Sequence, residues 1–309
     1  MNRISARTLI AHHLLRAALL AGFALLIVYL KQRGELSLFI APRTEQAVKL
    51  SALGMYGAAA YQAYSAFRLW RDKRLDDACD CGHDHAPSPS LVRNILLYGL
   101  FALPLLLGFL LPHAPLNSVL AGQKGVSFTG LPTPASAAPP SSDTSVLRGS
   151  GSNNGTSSLD VLFPADEYTQ AYAEFAKRLY KQDRIVVDDS LYIETLTALD
   201  LYQQPFAGAS VTLTGFVYRD DGMRDDQFAV SRFAMNCCSA DALPYGLLVQ
   251  SADANHYAND SWVTLTGTVT TTEWRGESVI MLTADVITPA AVKDRDAYVY
   301  PNYEFDLSP

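Results

Sequence analysis

Val211-Thr-Leu-Thr-Gly-Phe-Val217 and Val263-Thr-Leu-Thr-Gly-Thr-Val269 are nearly identical heptapeptides, and they decide the fold class of the C-terminal half of the chain. Each alternates branched residues as half-buried β-strands do, and its central glycine lets a strand bend. Three further β-like runs follow the same composition, at residues 227–236, 245–250 and 278–287. Five short strands with glycine bends predict a small OB-like β-barrel, and a β-sandwich is the alternative architecture.

Helical patterns precede these strands. Apolar residues at helical spacing over residues 165–180 predict a helix that begins at the acidic residues Asp166 and Glu167. A short strand is predicted over 185–187, and a second helix over 191–202. Residues 159–309 are therefore predicted to form an α+β soluble domain in which helices lead into the five-stranded OB-like β-barrel.

The N-terminal part, residues 1–115, is predicted to be an α-helical membrane region of three spans. The spans cover residues 14–30, 47–69 and 95–111, each near the ~20 residues that cross a bilayer. The middle one is rich in Ala, Tyr and Gly, so an amphipathic surface helix is its alternative. A cleaved signal peptide is the alternative for the first span, but Lys31-Gln-Arg-Gly34 follows it instead of a small-residue cleavage site.

Lysine and arginine in the short loops predict the orientation, because these residues resist translocation. The N-terminus carries Arg3, Arg7 and Arg16, and the loop over residues 68–93 contains five further Lys or Arg residues. Both are predicted to be cytoplasmic. Together with the three spans, this predicts a multi-pass cell-membrane protein in contact with the lipid bilayer. After three spans the C-terminal domain is extracytoplasmic. Residues 116–158, rich in Pro, Ser, Gly and Asn, are predicted to be a flexible linker.

Charge excludes one class of partner. Residues 159–309 contain 10 Lys or Arg against 23 Asp or Glu. A nucleic-acid-binding domain carries a basic surface that neutralises phosphates, and an acidic domain repels them. We therefore predict no nucleic-acid partner.

Arg232-Phe-Ala-Met-Asn-Cys-Cys-Ser-Ala-Asp241 holds two of the four cysteines and is the main candidate site. Successive side chains of a strand point to opposite faces, so Cys237 and Cys238 converge only if the strand ends before them. Three interpretations stay open. The thiols bind zinc or another transition metal together with Asp241, with or without His256, or they exchange disulfides, or Cys237 is a core residue beside an inert Cys238.

A second candidate metal site lies in the predicted cytoplasmic loop, at Cys79-Asp-Cys-Gly-His-Asp-His85. Its ligands are Cys79, Cys81, His83 and His85, a set that suits zinc and neighbouring transition metals. The Cys-x-Cys spacing is shorter than in structural zinc sites, which predicts weak and exchangeable binding. The alternative is a solvated polar loop, because a His-rich and Cys-rich composition is only compositional evidence.

Several segments together carry a resemblance to a known family. They are Phe216-Val-Tyr-Arg-Asp-Asp-Gly222, Arg232-Phe-Ala-Met-Asn-Cys-Cys-Ser-Ala-Asp-Ala242, Trp262-Val-Thr-Leu-Thr-Gly-Thr268 and Tyr298-Val-Tyr-Pro301. They resemble the C-terminal domain of the YcgQ family of bacterial membrane proteins, described as permease subunits. The N-terminal half is similar to the same family in its spans and its His-rich loop. The resemblance implies a larger multi-spanning permease subunit as partner, and it implies no particular substrate.

These observations give three functional hypotheses. The first is a membrane-anchored accessory subunit of a two-component permease, with a possible metal link, whose outer β domain binds partner or cargo. The second is a thiol-disulfide active extracytoplasmic protein, and the third is a scaffold without a ligand. The sequence contains no nucleophile elbow, phosphate-binding loop or metalloprotease helix, so we predict that the protein is not an enzyme.

Overall fold

The computed structural model describes residues 6–72, 90–129, 158–292 and 296–306. The chain divides into two compact units, Met1–Ala114 and Pro115–Pro309. The four predicted loop ligands, Cys79, Cys81, His83 and His85, lie outside the described residues.

Three long helices make up most of the described part of the first unit: α1 (Ala6–Arg33), α2 (Pro42–Asp72) and α3 (Leu91–Leu110). Two segments, Arg7–Arg33 and Leu91–Leu110, are long and apolar enough to cross a membrane. The middle predicted span, residues 47–69, lies within α2 and is helical as expected. Its composition does not meet the same standard of apolarity, because polar and small residues interrupt it, so its crossing of the membrane stays a prediction.

The contacts of α1 define the direction of each helix in this unit. At one end of α2, Glu45 binds Lys31, and at the other Gln62 lies 2.6 Å from the His13 ring, so α1 and α2 are antiparallel. The residues of α3 that contact α1 follow the same order along the chain as their partners in α1. A Cβ added to Gly22 would lie 2.6 Å from Leu105 Cδ2, and one added to Gly108 would lie 2.7 Å from Leu26 Cδ2. α1 and α3 are therefore parallel, and these glycines permit their close approach.

In its described residues, the second unit contains five α-helices and seven strands. The helices are α4 (Ser118–Lys124), α5 (Ser158–Leu162), α6 (Gln170–Tyr180), α7 (Tyr192–Leu201) and α8 (Gln203–Phe206). The strands are β1 (Ile185–Val186), β2 (Ser210–Tyr218), β3 (Gln227–Ala234), β4 (Leu243–Gln250), β5 (Trp262–Trp274), β6 (Glu277–Pro289) and β7 (Tyr298–Val299). The five predicted long strands correspond to β2–β6. The fold is a mixed sheet domain preceded by helices.

The strand pairings run β2–β5–β6–β4–β3, and β3 pairs again with β2. All of these pairings are antiparallel except β4–β6, which is parallel. β1 adds in parallel to the start of β2, and β7 adds in parallel to the end of β3. Both heptapeptides thus lie in neighbouring strands, paired from Val211 opposite Gly267 to Gly215 opposite Val263.

The central glycines of the heptapeptides have the bending role that the sequence predicts. A Cβ on Gly215 would lie 2.6 Å from the Ser231 carbonyl oxygen, so only glycine allows β2 to meet β3 there. A Cβ on Gly267 would lie equally close, 2.6 Å, to the Thr283 carbonyl oxygen. The β5–β6 register shifts between Thr266 and Gly267, which marks a β-bulge.

Helices α6, α7 and α8 cover one side of the sheet and complete the main core. Fully buried residues from both layers meet there, including Phe163, Leu196, Phe206, Leu213 and Leu265. α6 begins five residues later than the predicted start at 165. The reason is a turn in which Asp166 Oδ1 accepts hydrogen bonds from the backbone amides of Tyr168 and Thr169, at 3.0 and 2.8 Å.

The first part of the predicted linker, residues 116–129, is ordered on the β domain, which corrects its predicted flexibility. Ser118 donates from its backbone amide and its hydroxyl to the Asp260 carboxylate, at 2.6 and 2.7 Å. Ser127 forms a bridge with Tyr245, and Phe128 packs edge-on against Trp274. Pairing with Asp260 and Tyr245, far along the chain, could not be read from local composition. The rest of the predicted linker, 130–157, lies outside the described residues.

Candidate thiol and carboxylate site

The candidate site is a tight turn that follows β3. The last paired residue of β3 is Ala234, and the Met235 amide donates to the Val299 carbonyl of β7 at 2.9 Å. The chain then leaves the sheet, so Cys237 and Cys238 are not in extended strand geometry. This is the condition under which both thiols can reach the same side.

Asp241 organises the turn from within. Its Oδ1 accepts from the Asn236 amide at 2.9 Å, and its Oδ2 accepts from the amides of Cys237 and Cys238 at 2.7 and 3.2 Å. The Asp241 amide in turn donates to the Cys238 carbonyl at 3.0 Å. One carboxylate thus satisfies three successive backbone donors, which fixes the loop around the two thiols.

Two distant residues hold the same turn from outside. The Lys124 ammonium, at the end of α4, donates to the carbonyls of Ala240 and Ala242 at 3.1 and 2.6 Å. The Tyr303 hydroxyl, near the C-terminus, donates to Asn236 Oδ1 at 2.9 Å. The turn is therefore clamped by segments that precede and follow the sheet in sequence.

The two thiols lie close together, because the strand ends before them. The Cys237 and Cys238 sulfurs lie 3.7 Å apart, well beyond the ~2.05 Å of a disulfide bond. One ligand atom from each of Cys237, Cys238 and Asp241 lies within 4.8 Å of the other two. Cys237 is exposed and Cys238 is partly exposed, so the interpretation of Cys237 as a core residue is wrong. The strand ends too early to bury it.

The protonation of the pair follows from the carboxylate. A hydrogen bond to the Asp241 carboxylate, reinforced by the neighbouring Cys238 thiol, raises the pKa of Cys237 to about 12. Partial burial works to raise the pKa of Asp241, but hydrogen bonds from Cys237 and the turn amides outweigh it and lower that pKa. Without a bound cation, the site at neutral pH therefore holds a protonated Cys237 thiol beside an ionised Asp241.

His256 is not part of this group, contrary to the sequence-based suggestion. It lies in the 3-10 turn Ala254–His256 after β4, where its ring Nδ1 is 3.6 Å from the Asp253 carboxylate. The ligand group that the described residues bring together consists of Cys237, Cys238 and Asp241. Two thiols and one carboxylate form a soft, anionic set that suits zinc or a similar transition metal and leaves a coordination position open.

Two buried polar residues elsewhere in the β domain were not recognised from the sequence as important. Arg232 is 1% exposed, pairs with Asp189, and lies between the rings of Tyr192 and Trp262 at 5.7 Å from each centroid. Glu194 is 2% exposed, and its Oε1 accepts from the Asn302 amide at 2.8 Å. Their neighbours in the sequence are typical of a strand and of a helix, so nothing in the sequence indicated that these two residues are buried.

Comparison with known families identifies the chain over most of its length. Residues 15–127 match the family described as DUF1980 N-terminal domain, and residues 162–301 match DUF1980 C-terminal domain. A protein of Bacillus subtilis named "UPF0703 protein YcgQ" is 25% identical over 177 residues, which cover 57% of this chain and 58% of that protein. The chain belongs to the YcgQ family. The resemblance noted in the cysteine motif is thereby confirmed.

Another YcgQ-family relative has a more informative name. A Streptococcus mutans protein, "Putative two-component membrane permease complex subunit", is 26% identical over 262 residues, covering 82% of this chain and 86% of that protein. Among solved structures, a replication protein A heterotrimer bound to single-stranded DNA shares 16% identity, with a TM-score of 0.17. It covers 28% of this chain and 59% of that chain, and such a low score supports no conclusion about function.

Proposed function

We propose that this protein is a membrane-anchored accessory subunit of a two-component permease, with a metal-binding thiol site in its β domain. The permease association is supported by the printed name of the Streptococcus mutans relative, which aligns along most of both chains. Membrane anchoring is supported by the two long apolar helices. Solute sites in transporters usually lie between larger helix repeats, so three helices call for a multi-spanning partner subunit.

The proposal includes α2 as a third span. α2 runs antiparallel to α1 from the Lys31–Glu45 pair to the His13–Gln62 contact, so it covers most of the length of an apolar helix. A helix that accompanies α1 for that distance crosses the same layer of lipid. An odd number of spans puts the ends of the membrane region on opposite sides. The positive-inside rule then makes the N-terminus cytoplasmic and the β domain extracytoplasmic.

The ring of pairings β2–β5–β6–β4–β3–β2 supports an OB-like barrel as the architecture of that domain. Within it, the single observation that carries the metal proposal is the convergence of two sulfurs and a carboxylate within 4.8 Å of one another. Zinc would be held by Cys237, Cys238 and Asp241, with its remaining position open to water or to cargo. Binding would displace the Cys237 proton, so affinity would rise with pH.

Zinc binding by the purified full chain tests this site. Serine and alanine replacements of Cys79, Cys81, His83 and His85 remove the loop ligands first. In that background we expect one zinc per chain, and a sulfur-to-cobalt charge-transfer band with cobalt(II). Cys237→Ser and Cys238→Ser would each abolish the band. Ser239→Ala, within the same turn, is the matched control. Zinc stoichiometry that survives both cysteine substitutions would refute the domain site, while a loss caused by the loop substitutions alone would assign the zinc to the loop.

Partner retention tests the permease association separately. The full chain is tagged, solubilised in mild detergent and purified from its own host. We expect a multi-spanning membrane protein to co-purify in a fixed ratio. A lone chain under conditions that keep other membrane complexes intact would contradict the association.

Thiol-disulfide exchange is the second candidate function, and the 3.7 Å separation of the sulfurs favours it. Adjacent cysteines close only a strained disulfide, because their Cα atoms lie ~3.8 Å apart and relaxed bridges prefer at least ~4.4 Å. Redox titration distinguishes the functions. A reversible two-electron couple at the pair would favour exchange, and a pair that stays reduced while it binds zinc would favour the metal site.

A further inference from the structure

One end of the first unit is basic, and at the other end acidic residues pair with several of the basic ones. Because α1 and α3 are parallel and α2 is antiparallel, the start of α1, the end of α2 and the start of α3 lie at the same end. This basic end is defined by Arg7, Arg16, Arg68 and Arg93. Within the described part of the chain, none of these four forms a salt bridge. The adjoining loop, 73–89, lies outside that part and adds two basic and four acidic residues.

The opposite end also contains basic residues, and acidic neighbours pair with three of them. Lys31 and Lys49 both bind Glu45, and Arg33 lies 3.1 Å from Glu35. Glu35 also contacts the His113 ring at 2.8 Å. The two ends therefore differ in paired charge more than in the number of basic residues.

A polar network orients Arg16 at the basic end. Its Nε donates to the Tyr98 hydroxyl at 3.3 Å, and the same hydroxyl lies 2.9 Å from His12 Nδ1. His12 is 9% exposed, so this link between α1 and α3 is mostly buried. With Nε held by Tyr98, the terminal nitrogens of Arg16 remain available as donors. A guanidinium held in this way binds phosphate oxygens with little loss of side-chain freedom.

An independent feature indicates that the basic end lies at the level of lipid headgroups. The last turns of α2 expose large aromatic side chains: Tyr61 is 68% exposed, Tyr64 58% and Trp70 67%. Tyrosine and tryptophan concentrate at membrane interfaces, where the ring contacts acyl chains and the polar atom contacts water. Arg68 lies among these residues, as a phosphate-binding residue of an interface would.

We propose that the basic end binds the phosphate groups of anionic phospholipids, through Arg7, Arg16, Arg68 and Arg93. This inference rests on the proposed membrane anchoring, and it adds a ligand class to it. Basic clusters at the cytoplasmic ends of helices bind acidic headgroups in this way. The bound lipid would fix the depth of the three helices and cover the face that the arginines present.

Lipid retention by the full chain tests the proposal. The chain is reconstituted in vesicles of equal phosphatidylglycerol and phosphatidylcholine, extracted in mild detergent, and its retained lipids are quantified by mass spectrometry. We expect phosphatidylglycerol to be enriched, and the enrichment to fall about fivefold for each arginine removed, as in Arg16→Gln with Arg93→Gln. Arg33→Gln with Lys49→Gln, at the salt-bridged end, is the matched control and should leave the ratio unchanged.

Three results would overturn the inference. These are no enrichment by the native chain, equal losses from both pairs of substitutions, or displacement of the retained lipid by millimolar inorganic phosphate, which would assign the site to the free ion. If Arg16→Gln impairs folding, Arg7→Gln with Arg68→Gln repeats the test with exposed residues. Failure of the native chain to insert into vesicles of either lipid would instead refute the membrane anchoring itself.

Discussion

Glu194 makes the stability of the β domain depend on pH. It lies on α7, 2% exposed, and its second carboxylate oxygen has no hydrogen-bond partner among the described residues. Burial raises its pKa from 4.5 to about 7, although the hydrogen bond from the Asn302 amide works against that rise. The buried carboxyl is therefore mostly protonated below neutral pH in the folded chain.

The sign and size of the effect follow from proton linkage. Below pH 4.5 the folded and unfolded chains both hold the proton, and Glu194 does not affect stability. Between pH 4.5 and about 7 only the folded chain retains it, so stability falls as pH rises, by about 1.4 kcal/mol per pH unit. Above pH 7 the full penalty, about 3 kcal/mol, is present. Glu194→Gln keeps the acceptor for Asn302 and removes the penalty.

Thermal unfolding of the full chain in detergent, followed by tryptophan fluorescence, measures this. At pH 8 we expect Glu194→Gln to raise the unfolding temperature by roughly 6–10 °C, and at pH 4.5 to leave it nearly unchanged. Glu167→Gln, an exposed carboxylate of the same domain, controls for net charge. An equal shift at both pH values, or a loss of stability at pH 8, would refute the reasoning, because it would mean that the buried carboxyl is not what titrates.

Three further substitutions have defined expectations. Asp241→Ala removes the carboxylate that holds the Cys237 proton, so Cys237 should react faster with iodoacetamide at pH 8, and an unchanged rate would contradict the assigned cause of its raised pKa. Gly215→Ala places a Cβ against the β3 backbone and should lower the free energy of unfolding, measured by denaturant titration, by about 1–3 kcal/mol. An unchanged free energy would mean that β2 and β3 can move apart without loss of stability. Arg232→Ala should lower the free energy of unfolding by about 3–5 kcal/mol. Arg232→Met should lower it clearly less, since Asp189 is exposed and can be hydrated once its partner is gone. Equal losses would show that the charge of Arg232, and not its packing, stabilises the domain.

Much of the β domain could be predicted from the sequence because its signals are local. The repeated heptapeptides fix two neighbouring strands, and their glycines lie where the strands bend. The boundaries were less predictable. Residues 116–129 resemble a linker in composition, and their order depends on Asp260 and Tyr245, which are distant in sequence.

The candidate site divides in the same way. Cys237, Cys238 and Asp241 lie within five residues, so one turn brings them together and sequence reasoning could group them. Lys124 and Tyr303 also hold the turn, but they approach from opposite ends of the domain sequence. The His256 imidazole is a suitable zinc ligand, but the turn after β4 that carries it does not bring it into the group of Cys237, Cys238 and Asp241. Whether two residues far apart in sequence meet is decided by strand order, which no short motif encodes.

The central claim is that a membrane-anchored chain holds a metal-binding thiol pair on the extracytoplasmic side. Labelling with a membrane-impermeant thiol reagent on intact cells tests it most directly, in a chain whose other two cysteines, Cys79 and Cys81, are replaced by serine. We expect Cys237 and Cys238 to be labelled from outside and added zinc to protect them. Labelling that requires cell lysis, or that zinc leaves unchanged, would contradict it.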